Sequence, residues 1–333
     1  MEHERPIILI LGPTAGGKTR LAIDLAKALP GGGECICADS MQVYRQMNIG
    51  TAKPSPEQQA EVGHHLLDLI EASVDGFSVD SWLELAERAI DEIRRRRRYP
   101  IVVGGTNLYI QALLEGLAES PEPDRELRRR LQAMQTGELR AWLERVDPAA
   151  ARRIHPNDRK RTIRAIEVHQ LTGRPLSTIQ QQWHRRQVRP DARIIGLDWP
   201  PEAVNRRINA RVKAMIDAGL VEEVRQLWQA HRLGRQAREA LGYRQIIAHL
   251  EGRCSLEDAI EQIKIRTRRF ARQQRTWLRS FRRYELATWL PAAHLSPQDL
   301  VKQALGAVHP PPPDRSPTDP EPPGSLPFHR NSP

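Results

Sequence analysis

The chain has 333 residues, of which 39% are hydrophobic and 28% are charged. These fractions are ordinary for a soluble globular protein, and the length predicts about two domains. The 51 lysines and arginines outnumber the 41 aspartates and glutamates, so the formal net charge is +10. An excess of this size permits a polyanionic partner such as nucleic acid, but it is also compatible with a basic enzyme that has no such partner.

The cysteines and the hydrophobic pattern exclude several classes of protein. Cys35 and Cys37 alternate along a strand-like run, which is typical of packed thiols, and Cys254 stands alone. Without a Cys-x-x-Cys pair or a Cys/His ligand spacing, neither a disulfide framework nor a zinc site is supported. No run of eighteen apolar residues occurs, and residues 1–5 show no signal-peptide pattern, so we expect a cytoplasmic protein without a membrane span.

A glycine-rich loop near the N-terminus fits the P-loop pattern G-x-x-x-x-G-K-[ST]. It follows an apolar run at 7–11 and precedes a helical pattern at 21–29. This order turns backbone N–H groups toward an anion at a helix N-terminus, while Lys18 adds a positive charge and the Thr19 hydroxyl can hold Mg²⁺. The loop predicts a site for a diphosphate or triphosphate without specifying ATP. Its residues are Gly12, Pro13, Thr14, Ala15, Gly16, Gly17, Lys18 and Thr19.

Two further strands are predicted at 34–38 and 100–103, and polar residues follow both of them. Asp39 comes directly after the first strand, and Thr106 follows two glycines after the second. Ligands of open α/β sheets bind beyond the carboxyl ends of the strands, so both side chains are expected to face the same crevice as the P-loop. For Asp39 alone, an aspartate that caps the next turn is an equally good interpretation.

Two other segments have both a structural and a functional interpretation. His64 and His65 begin a short buried strand predicted at 64–70, and because adjacent strand residues face opposite ways we favour packing over metal binding. The arginine run at 94–98 follows a helix that begins at Ser78 or Ser81. Cations are favoured at a helix C-terminus, so we interpret the run as a solvated helix end rather than a phosphate grip.

From about residue 120 the chain becomes charged and helical, and strand character returns at 193–199. The densest positive cluster, at 152–164, lies within this part, which we interpret as a helical insertion. The proline-rich C-terminal segment cannot bury a core, so we expect it to be disordered. We predict a first part of an α/β core at 1–119, the insertion at 120–190, the mainly helical remainder of the core at 191–305 and the tail at 306–333.

The second part of the core contains two long helical patterns. The first runs from 204 to 228 with a weak point at Gly219, and it carries Arg207 and Arg211 four residues apart, where both can meet one anion. The second begins at Ser255 and carries arginines on most of its faces. Its predicted core stripe consists of Leu256, Ile260, Ile263, Phe270, Trp277 and Phe281.

Seven segments, spread along the chain up to about residue 290, occur together and in one order. They are GPTAGGKT (12–19), ADSMQVY (38–44), NIGTAKP (48–54), GGTNLY (104–109), RIHPNDRKRTIRAIEV (153–168), ALGYRQI (240–246) and IKIRTRRFARQQRTWLR (263–279). On these segments the sequence resembles the tRNA isopentenyltransferases, also called tRNA dimethylallyltransferases. The P-loop occurs in many families, whereas the combination is specific to this one. The chain departs from the family's pattern at Gly16, where Ser is usual, and at Asn48, where Asp is usual.

The resemblance implies a P-loop NTPase-like α/β core with a central parallel sheet and an inserted, mainly helical tRNA-binding domain. It also implies a reaction, in which a dimethylallyl group passes from dimethylallyl diphosphate to N6 of the adenosine 3′-adjacent to the anticodon, and diphosphate is released. The tRNAs are those that read codons beginning with U. The implied cofactor is Mg²⁺ at Thr19, and the implied partners are the tRNA anticodon stem-loop and dimethylallyl diphosphate. We expect a monomer.

Roles for individual residues follow from the same resemblance. Asp39 is the expected general base, Lys18 and the P-loop are expected to hold the diphosphate, and Thr106 to bond the reacting group. Arg207 and Arg211 as diphosphate ligands are a separate hypothesis. The expected tRNA contacts are Asp39, Ser40, Met41, Gln42, Thr106, Arg128, Lys160, Arg161, Thr162, Ile163, Arg164, Leu241, Gly242, Tyr243, Arg244 and Gln245. A P-loop nucleoside or small-molecule kinase and a non-catalytic RNA-binding P-loop protein remain alternatives.

Overall fold

A computed structural model describes residues 5–117, 121–183 and 188–308 of the chain. Its strands are β1 (Ile7–Leu11), β2 (Gly33–Cys37), β3 (His64–His65), β4 (Tyr99–Val103), β5 (Ala192–Leu197) and β6 (Ala287–Leu290). They form one parallel sheet in the order β3-β2-β4-β1-β5-β6. The predicted α/β class with a central parallel sheet is therefore confirmed. Most of the tail predicted to be disordered, from 309 on, lies outside the described residues, whereas 306–308 end a helix.

Helices connect the strands and cover both faces of the sheet. The first nine are α1 (Lys18–Ala28), α2 (Pro56–Glu61), α3 (Val79–Arg95), α4 (Asn107–Glu115), α5 (Arg125–Ala133), α6 (Thr136–Val146), α7 (Pro148–Arg153), α8 (Arg159–Thr172) and α9 (Leu176–Trp183). The remaining described helices are α10 (Pro201–Asp217), α11 (Leu220–Gln229), α12 (Arg235–Arg238), α13 (Tyr243–Leu250), α14 (Leu256–Phe281) and α15 (Pro297–Val308). No helix within the described ranges combines the length and the apolar character that crossing a membrane requires.

Strand β1 lies in the middle of the sheet and is buried on both faces. Ile7 and Leu9 pack into the hydrophobic cluster that contains Trp82 of α3, while Ile8 packs into the cluster that contains Leu25 of α1. An unbroken run of aliphatic residues is what a parallel strand covered by helices on both sides requires. The apolar run that precedes the P-loop therefore fixes the loop to the centre of the sheet.

Strand β3 is shorter than the sequence predicts. It contains only His64 and His65, although a strand was expected over 64–70. Leu66 and Asp68 adopt positive φ values of 64° and 53°, in the left-handed region where a β-strand cannot continue. Only Ile70 resumes pairing, in an isolated bridge to Tyr44.

Helix α3 begins and ends as an ordinary capped helix. Ser78, rather than Ser81, caps its N-terminus and accepts a hydrogen bond from the Ser81 N–H at 3.1 Å. At its C-terminus Arg94 pairs with Asp191 at 2.8 Å, and Arg96 pairs with Glu34 at 2.8 Å. The interpretation of the arginine run as a helix end is confirmed, and part of its charge is used within the protein.

The helix predicted from 204 to 228 is two helices. Helix α10 ends at Asp217, and α11 begins at Leu220. Gly219 between them has φ 97°, a left-handed conformation that glycine adopts without steric cost. The weak point in the helical pattern is thus a full break, and α11 takes a new direction.

The insertion helices α5–α9 form a hydrophobic cluster of their own. Its buried residues are Leu131, Leu139, Leu143, Ala150, Ala151, Ile163, Ala165 and Ile166. Within the insertion Glu167 is fully buried and forms ion pairs with Arg128 at 2.8 Å and with Arg164 at 2.5 Å. The insertion therefore has the core that an independent layer needs, while the exact domain boundaries stay a prediction.

Helix α14 is confirmed from its cap at Ser255, but its buried stripe differs from the predicted one. The fully buried positions include Ala271, Gln274 and Leu278, whereas Phe270 and Trp277 are each 37% exposed. Consecutive helical residues are separated by about 100° around the axis. Because the stripe passes through Ala271, its neighbour Phe270 is turned out of the core, and Trp277 is turned out beside Leu278.

The carboxyl ends of β2 and β4 approach each other closely at Gly104. A Cβ atom at Gly104 would lie 2.1 Å from the backbone oxygen of Ala38, and the Thr106 N–H donates to that same oxygen at 3.0 Å. Only glycine allows the two strand ends to meet in this way.

We expect Gly104→Ala to lower the free energy of unfolding by about 3 kcal/mol, because backbone must move to admit the methyl group. Urea denaturation measures the change. Gly137→Ala is the matched control, since a Cβ there meets no atom within 4 Å and its helical position favours alanine. An unchanged unfolding midpoint for Gly104→Ala would contradict the close approach.

Candidate active site

The P-loop follows β1 and leads into α1, as the sequence predicts. Gly17 begins the helix with φ 87°, and the Gly16 N–H donates to the Pro13 carbonyl at 3.1 Å. A Cβ at Gly16 would lie 2.8 Å from that carbonyl oxygen. Glycine at 16, the position where this chain departs from the family pattern, thus suits the tight turn of its own loop.

Lys18 folds back over the P-loop. Its Nζ donates to the carbonyl oxygens of Gly12 at 3.1 Å and Pro13 at 2.9 Å. Burial, reinforced by the positive charge of Arg211, lowers the pKa of Lys18 to about 8, although Asp39 opposes the shift. A cation held in this way gains from an anion that enters the loop, since the anion restores its preference for the charged form.

Asp39 and Thr106 are brought together because β2 and β4 are adjacent in the sheet. Asp39 Oδ1 accepts the Met41 N–H at 2.9 Å. Thr106 Oγ1 accepts the Ser40 N–H at 2.9 Å and donates to Ser40 Oγ at 3.3 Å. Both interpretations of Asp39 are therefore compatible with the structure, since it caps the turn after β2 and also faces a cavity.

The surroundings of Asp39 shift its pKa in two opposite directions. Burial raises the pKa of Asp39, while the Met41 N–H and the positive charges of Lys18 and Arg211 oppose the increase. A carboxylate with a raised pKa is a stronger base than an exposed one. This is the environment that a general base requires.

Helix α10 lies over the P-loop and contributes two arginines. Arg207 Nε donates to the Ala15 carbonyl at 2.6 Å, and its guanidinium stacks 4.5 Å from the centre of the Trp199 ring. Arg211 Nη1 lies 3.5 Å from Thr14 Oγ1. The structure brings both arginines to the loop, so the anion-binding hypothesis has the geometry it needs.

Gln274 of α14 is a residue of this site that the sequence interpretation missed. Its Oε1 accepts the Thr14 N–H at 2.8 Å, and its Nε2 donates to the Gly105 carbonyl at 3.0 Å. One buried amide thereby joins the P-loop to the turn that carries Thr106. The signal was a polar residue within the buried stripe of a helix, three residues after Ala271 and four before Leu278.

Two cavities meet at these residues. One, of about 830 Å³, is lined by the P-loop from Thr14 to Thr19 together with Arg207 and Gln274. The other, of about 340 Å³, is lined by Thr106, Leu241 and neighbouring residues of α10 and α14. The residues that line both are Thr14, Asp39, Thr51, Gly105, Arg211 and Phe270. An anionic ligand in the first cavity and a second ligand in the other can thus both reach Asp39.

Some of the residues predicted to contact RNA from the core line the smaller cavity. Ser40, Met41, Leu241 and Gly242 line it directly. Gln42 lines the larger cavity, and its Nε2 donates to the carbonyls of Thr51 at 3.0 Å and Ala52 at 3.1 Å. The side chains of Tyr243 and Gln245 are buried, while exposed Arg244 pairs with Glu239 at 2.8 Å.

The predicted contacts in the insertion line neither cavity within the described ranges. Lys160 and Arg161 are exposed on α8, whereas Thr162 and Ile163 are buried in the insertion. Arg128 and Arg164, described above, are held by Glu167 and stay partly exposed. The RNA contacts assigned to all these residues stay predictions.

The two histidines have structural partners. His64 Nδ1 bonds to the Val62 carbonyl at 2.7 Å, and His65 Nε2 bonds to Glu34 at 2.6 Å. Burial lowers the pKa of His64. In the described part of the chain, no group of three or more His, Cys, Asp or Glu side chains is arranged to hold a metal ion.

Comparison with known proteins identifies relatives of high similarity. The chain is 46% identical over 284 residues to the tRNA dimethylallyltransferase of Geobacter metallireducens, a match that covers 84% of this chain and 91% of the relative. It is 47% identical over 279 residues to the tRNA dimethylallyltransferase of Geobacillus kaustophilus, covering 82% of this chain and 87% of the relative.

Solved structures share the fold. The tRNA delta(2)-isopentenylpyrophosphate transferase of Staphylococcus epidermidis aligns with a TM-score of 0.66 at 34% identity, covering 91% of this chain and 98% of that one. A eukaryotic dimethylallyltransferase described as acting on tRNA aligns with a TM-score of 0.75 at 28% identity, covering 90% and 77%. The family model for IPP transferase matches residues 42–281. Since this match spans most of the chain and agrees with the relatives, the chain belongs to the IPP transferase family.

Proposed function

We propose that this chain is a tRNA dimethylallyltransferase. It transfers the dimethylallyl group of dimethylallyl diphosphate to N6 of the adenosine 3′-adjacent to the anticodon, in tRNAs that read codons beginning with U. The observation that carries the proposal is the position of Asp39 at the junction of the P-loop cavity and the smaller cavity. The activity named for the relatives supports it.

In this proposal the P-loop cavity receives the donor diphosphate. Lys18, Arg207 and Arg211 surround the loop with positive charge. The bond between the allylic carbon and the diphosphate oxygen breaks as the bond to N6 forms, and negative charge develops on the leaving group. Fixed cations and backbone N–H groups that face this charge stabilise the transition state more than the ground state.

The oxygen ligands at the P-loop fit the implied Mg²⁺. The Thr19 hydroxyl lines the P-loop cavity, and within the described residues it has no hydrogen-bond partner. Hydroxyl oxygens are hard ligands of the kind that Mg²⁺ prefers, alongside substrate phosphates and water. Bound there, Mg²⁺ would supply further positive charge to the diphosphate.

Asp39 acts as the general base in this reaction. It accepts the proton that N6 loses as the new carbon–nitrogen bond forms, and its raised pKa suits that task. To reach Asp39 the adenine must leave the anticodon-loop stack and enter the smaller cavity. Thr106 and Ser40, which are hydrogen-bonded to each other beside Asp39, would contact the adenine or the reacting group.

The remaining features of the proposal concern the partners. The anticodon stem-loop contacts the predicted residues of the core, around 241–245, and those of the insertion, around 160–164. The basic surface of the chain supplies a favourable field for RNA phosphates. The chain acts as a monomer, and it does so in the cytoplasm.

A transfer assay distinguishes the proposal from a P-loop kinase and from a non-catalytic RNA-binding protein. The protein is incubated with unmodified tRNA, Mg²⁺ and either allyl-labelled dimethylallyl diphosphate or γ-labelled ATP. We expect the allyl label in tRNA and no label from ATP in a small acceptor. Label from ATP alone would favour the kinase, and tRNA binding without either transfer would favour the non-catalytic protein.

We expect Asp39→Asn to lower kcat by about hundredfold or more, because the amide cannot accept the N6 proton. Binding of tRNA should be retained, since the amide keeps the shape of the side chain. Asp198→Asn is the matched control, because Asp198 also follows a strand but pairs with Arg282 at the surface. Full turnover by Asp39→Asn would refute the assigned role, and steady-state kinetics with filter binding decide it.

The lowered pKa of Lys18 predicts a pH-dependent diphosphate affinity. Lys18 is charged below about pH 8 and loses its proton above it. Its contribution to affinity is therefore fully present below about pH 8 and declines as the pH rises through that value. We expect the ratio of wild-type affinity to Lys18→Met affinity for inorganic diphosphate to fall about tenfold between about pH 7 and about pH 9.5.

Calorimetry at the two pH values measures this ratio, and the ratio cancels the ionisation of diphosphate itself. Lys27→Met is the control, because Lys27 is exposed on the same helix and pairs with Glu61 at 2.8 Å. It should match the wild type at both values. A wild-type to Lys18→Met ratio that stays constant would show that Lys18 does not change its charge in this range.

A further inference from the structure

The loop at 47–53 contributes Gly50 and Thr51 to the wall of the smaller cavity, and Lys53 anchors it to neighbouring segments. Lys53 is 3% exposed, and its Nζ donates to the Tyr44 carbonyl at 2.8 Å, to Asn48 Oδ1 at 3.0 Å and to Asp68 at 2.6 Å. Asn48, the second departure from the family pattern, thus still accepts the lysine. These bonds anchor the base of the loop, and the backbone N–H groups of Asn48, Ile49 and Gly50 at its tip point toward α11.

Glu223 of α11 accepts hydrogen bonds from three successive backbone N–H groups of this loop. Its Oε2 accepts from Asn48 at 2.9 Å and from Ile49 at 2.8 Å, and its Oε1 accepts from Gly50 at 3.1 Å. Three successive donors on one carboxylate form charge-assisted hydrogen bonds, which are stronger than neutral ones. The loop tip is therefore bound to a helix that lies about 170 residues away in the chain.

The same carboxylate also holds a second segment that borders the cavity. Glu223 Oε1 accepts the Tyr243 hydroxyl at 2.5 Å. The Tyr243 ring is fully buried against Gly50, where a Cβ would lie 2.4 Å from the ring carbon Cε2. Gly50 and Gly242, the neighbour of Tyr243, both line the smaller cavity. With four hydrogen bonds, Glu223 uses about the full acceptor capacity of a carboxylate.

Stabilisation of the N-terminus of α11 by an acidic residue does not account for these contacts of Glu223. An acid in the first turn of a helix is favoured by the macrodipole alone. Its neighbour Glu222 has that ordinary role, since it is exposed and, among the residues that the structure describes, its side chain bonds only to Arg225 and Gln226 on α11. Every hydrogen bond that Glu223 accepts from beyond its own helix comes from a segment that borders the smaller cavity.

We propose that Glu223 is a positioning residue that sets the separation of the 48–51 loop and the 241–243 turn, and thereby the fit of the acceptor adenine. This inference rests on the proposed function for the identity of the acceptor. It does not involve the P-loop, so Glu223 is expected to act on the tRNA side of the reaction and to leave the donor side unchanged.

The test compares Glu223→Ala with Glu222→Ala. We expect Glu223→Ala to raise KM for tRNA about tenfold and to leave KM for dimethylallyl diphosphate within about twofold, because none of the four residues that lose a hydrogen bond lines the P-loop cavity. Glu222→Ala should match the wild type. Equal changes in both KM values, or none, would overturn the proposal, since a purely structural role affects both substrates.

Hydrogen exchange gives a readout that does not depend on activity. The amides of 48–50 donate directly to Glu223, so they should exchange at least about tenfold faster in Glu223→Ala than in Glu222→Ala. Unchanged exchange would overturn the positioning role. If the wild type transferred no allyl group while the exchange changed as expected, the proposed function would fail and the structural role of Glu223 would stand.

Two further variants keep the test decisive if Glu223→Ala does not fold. Glu223→Gln keeps the volume and one oxygen acceptor but loses the charge, so the same selective rise in KM for tRNA is expected at a smaller size. Tyr243→Phe removes one of the four bonds and should have a smaller effect still. Effects of Glu223→Gln and Tyr243→Phe that simply add in the double variant would contradict a shared contact.

Discussion

The candidate site depends on the electrostatic interaction of two cations and one carboxylate, which lie close together at the carboxyl edge of the sheet. Burial lowers the pKa of Lys18 and of Arg211, and the negative charge of Asp39 opposes both shifts. Burial also raises the pKa of Asp39, and the two cations oppose that increase. The cluster retains an excess of positive charge, and a bound anion would complete it.

The backbone around this cluster is arranged by close contacts. Gly104 lets the ends of β2 and β4 approach until the Thr106 N–H reaches the Ala38 carbonyl. Gln274 then joins the Thr106 turn to the P-loop. Because these hydrogen bonds and the close approach at Gly104 link the segments, a displacement of one strand end moves the others. The geometry of Asp39 thus depends on packing that extends from the sheet to α14.

The insertion uses buried charge differently. Glu167 is fully buried, and Arg128 and Arg164 both pair with it while keeping part of their surface exposed. A buried carboxylate with one arginine removed would be costly, because the remaining charges would be incompletely compensated. The pairing fixes two arginines at the surface in defined positions. Such preorganised cations lose less conformational entropy when they bind a phosphate.

Much of the fold and part of the candidate site were predictable from local pattern. The apolar run before the P-loop indicated a strand, and the side chains that follow the strand ends, Asp39 and Thr106, were expected to converge because ligands of open α/β sheets bind beyond the carboxyl ends of the strands. Local pattern failed where one residue changed the chain direction, at Leu66 directly after β3 and at Gly219 between α10 and α11.

By itself, then, the sequence determined the anion loop and the strand end at which Asp39 lies, because these depend on residues close together in the chain, while the parallel sheet was expected from the resemblance to a known family. Only the tertiary structure revealed the roles of Gln274 and Glu223. Gln274 bonds to Thr14 across 260 residues, and Glu223 bonds to Gly50 across 173. A hydrogen bond from a side chain to a distant backbone group leaves no periodicity in the sequence, since it depends on how helices pack against the sheet.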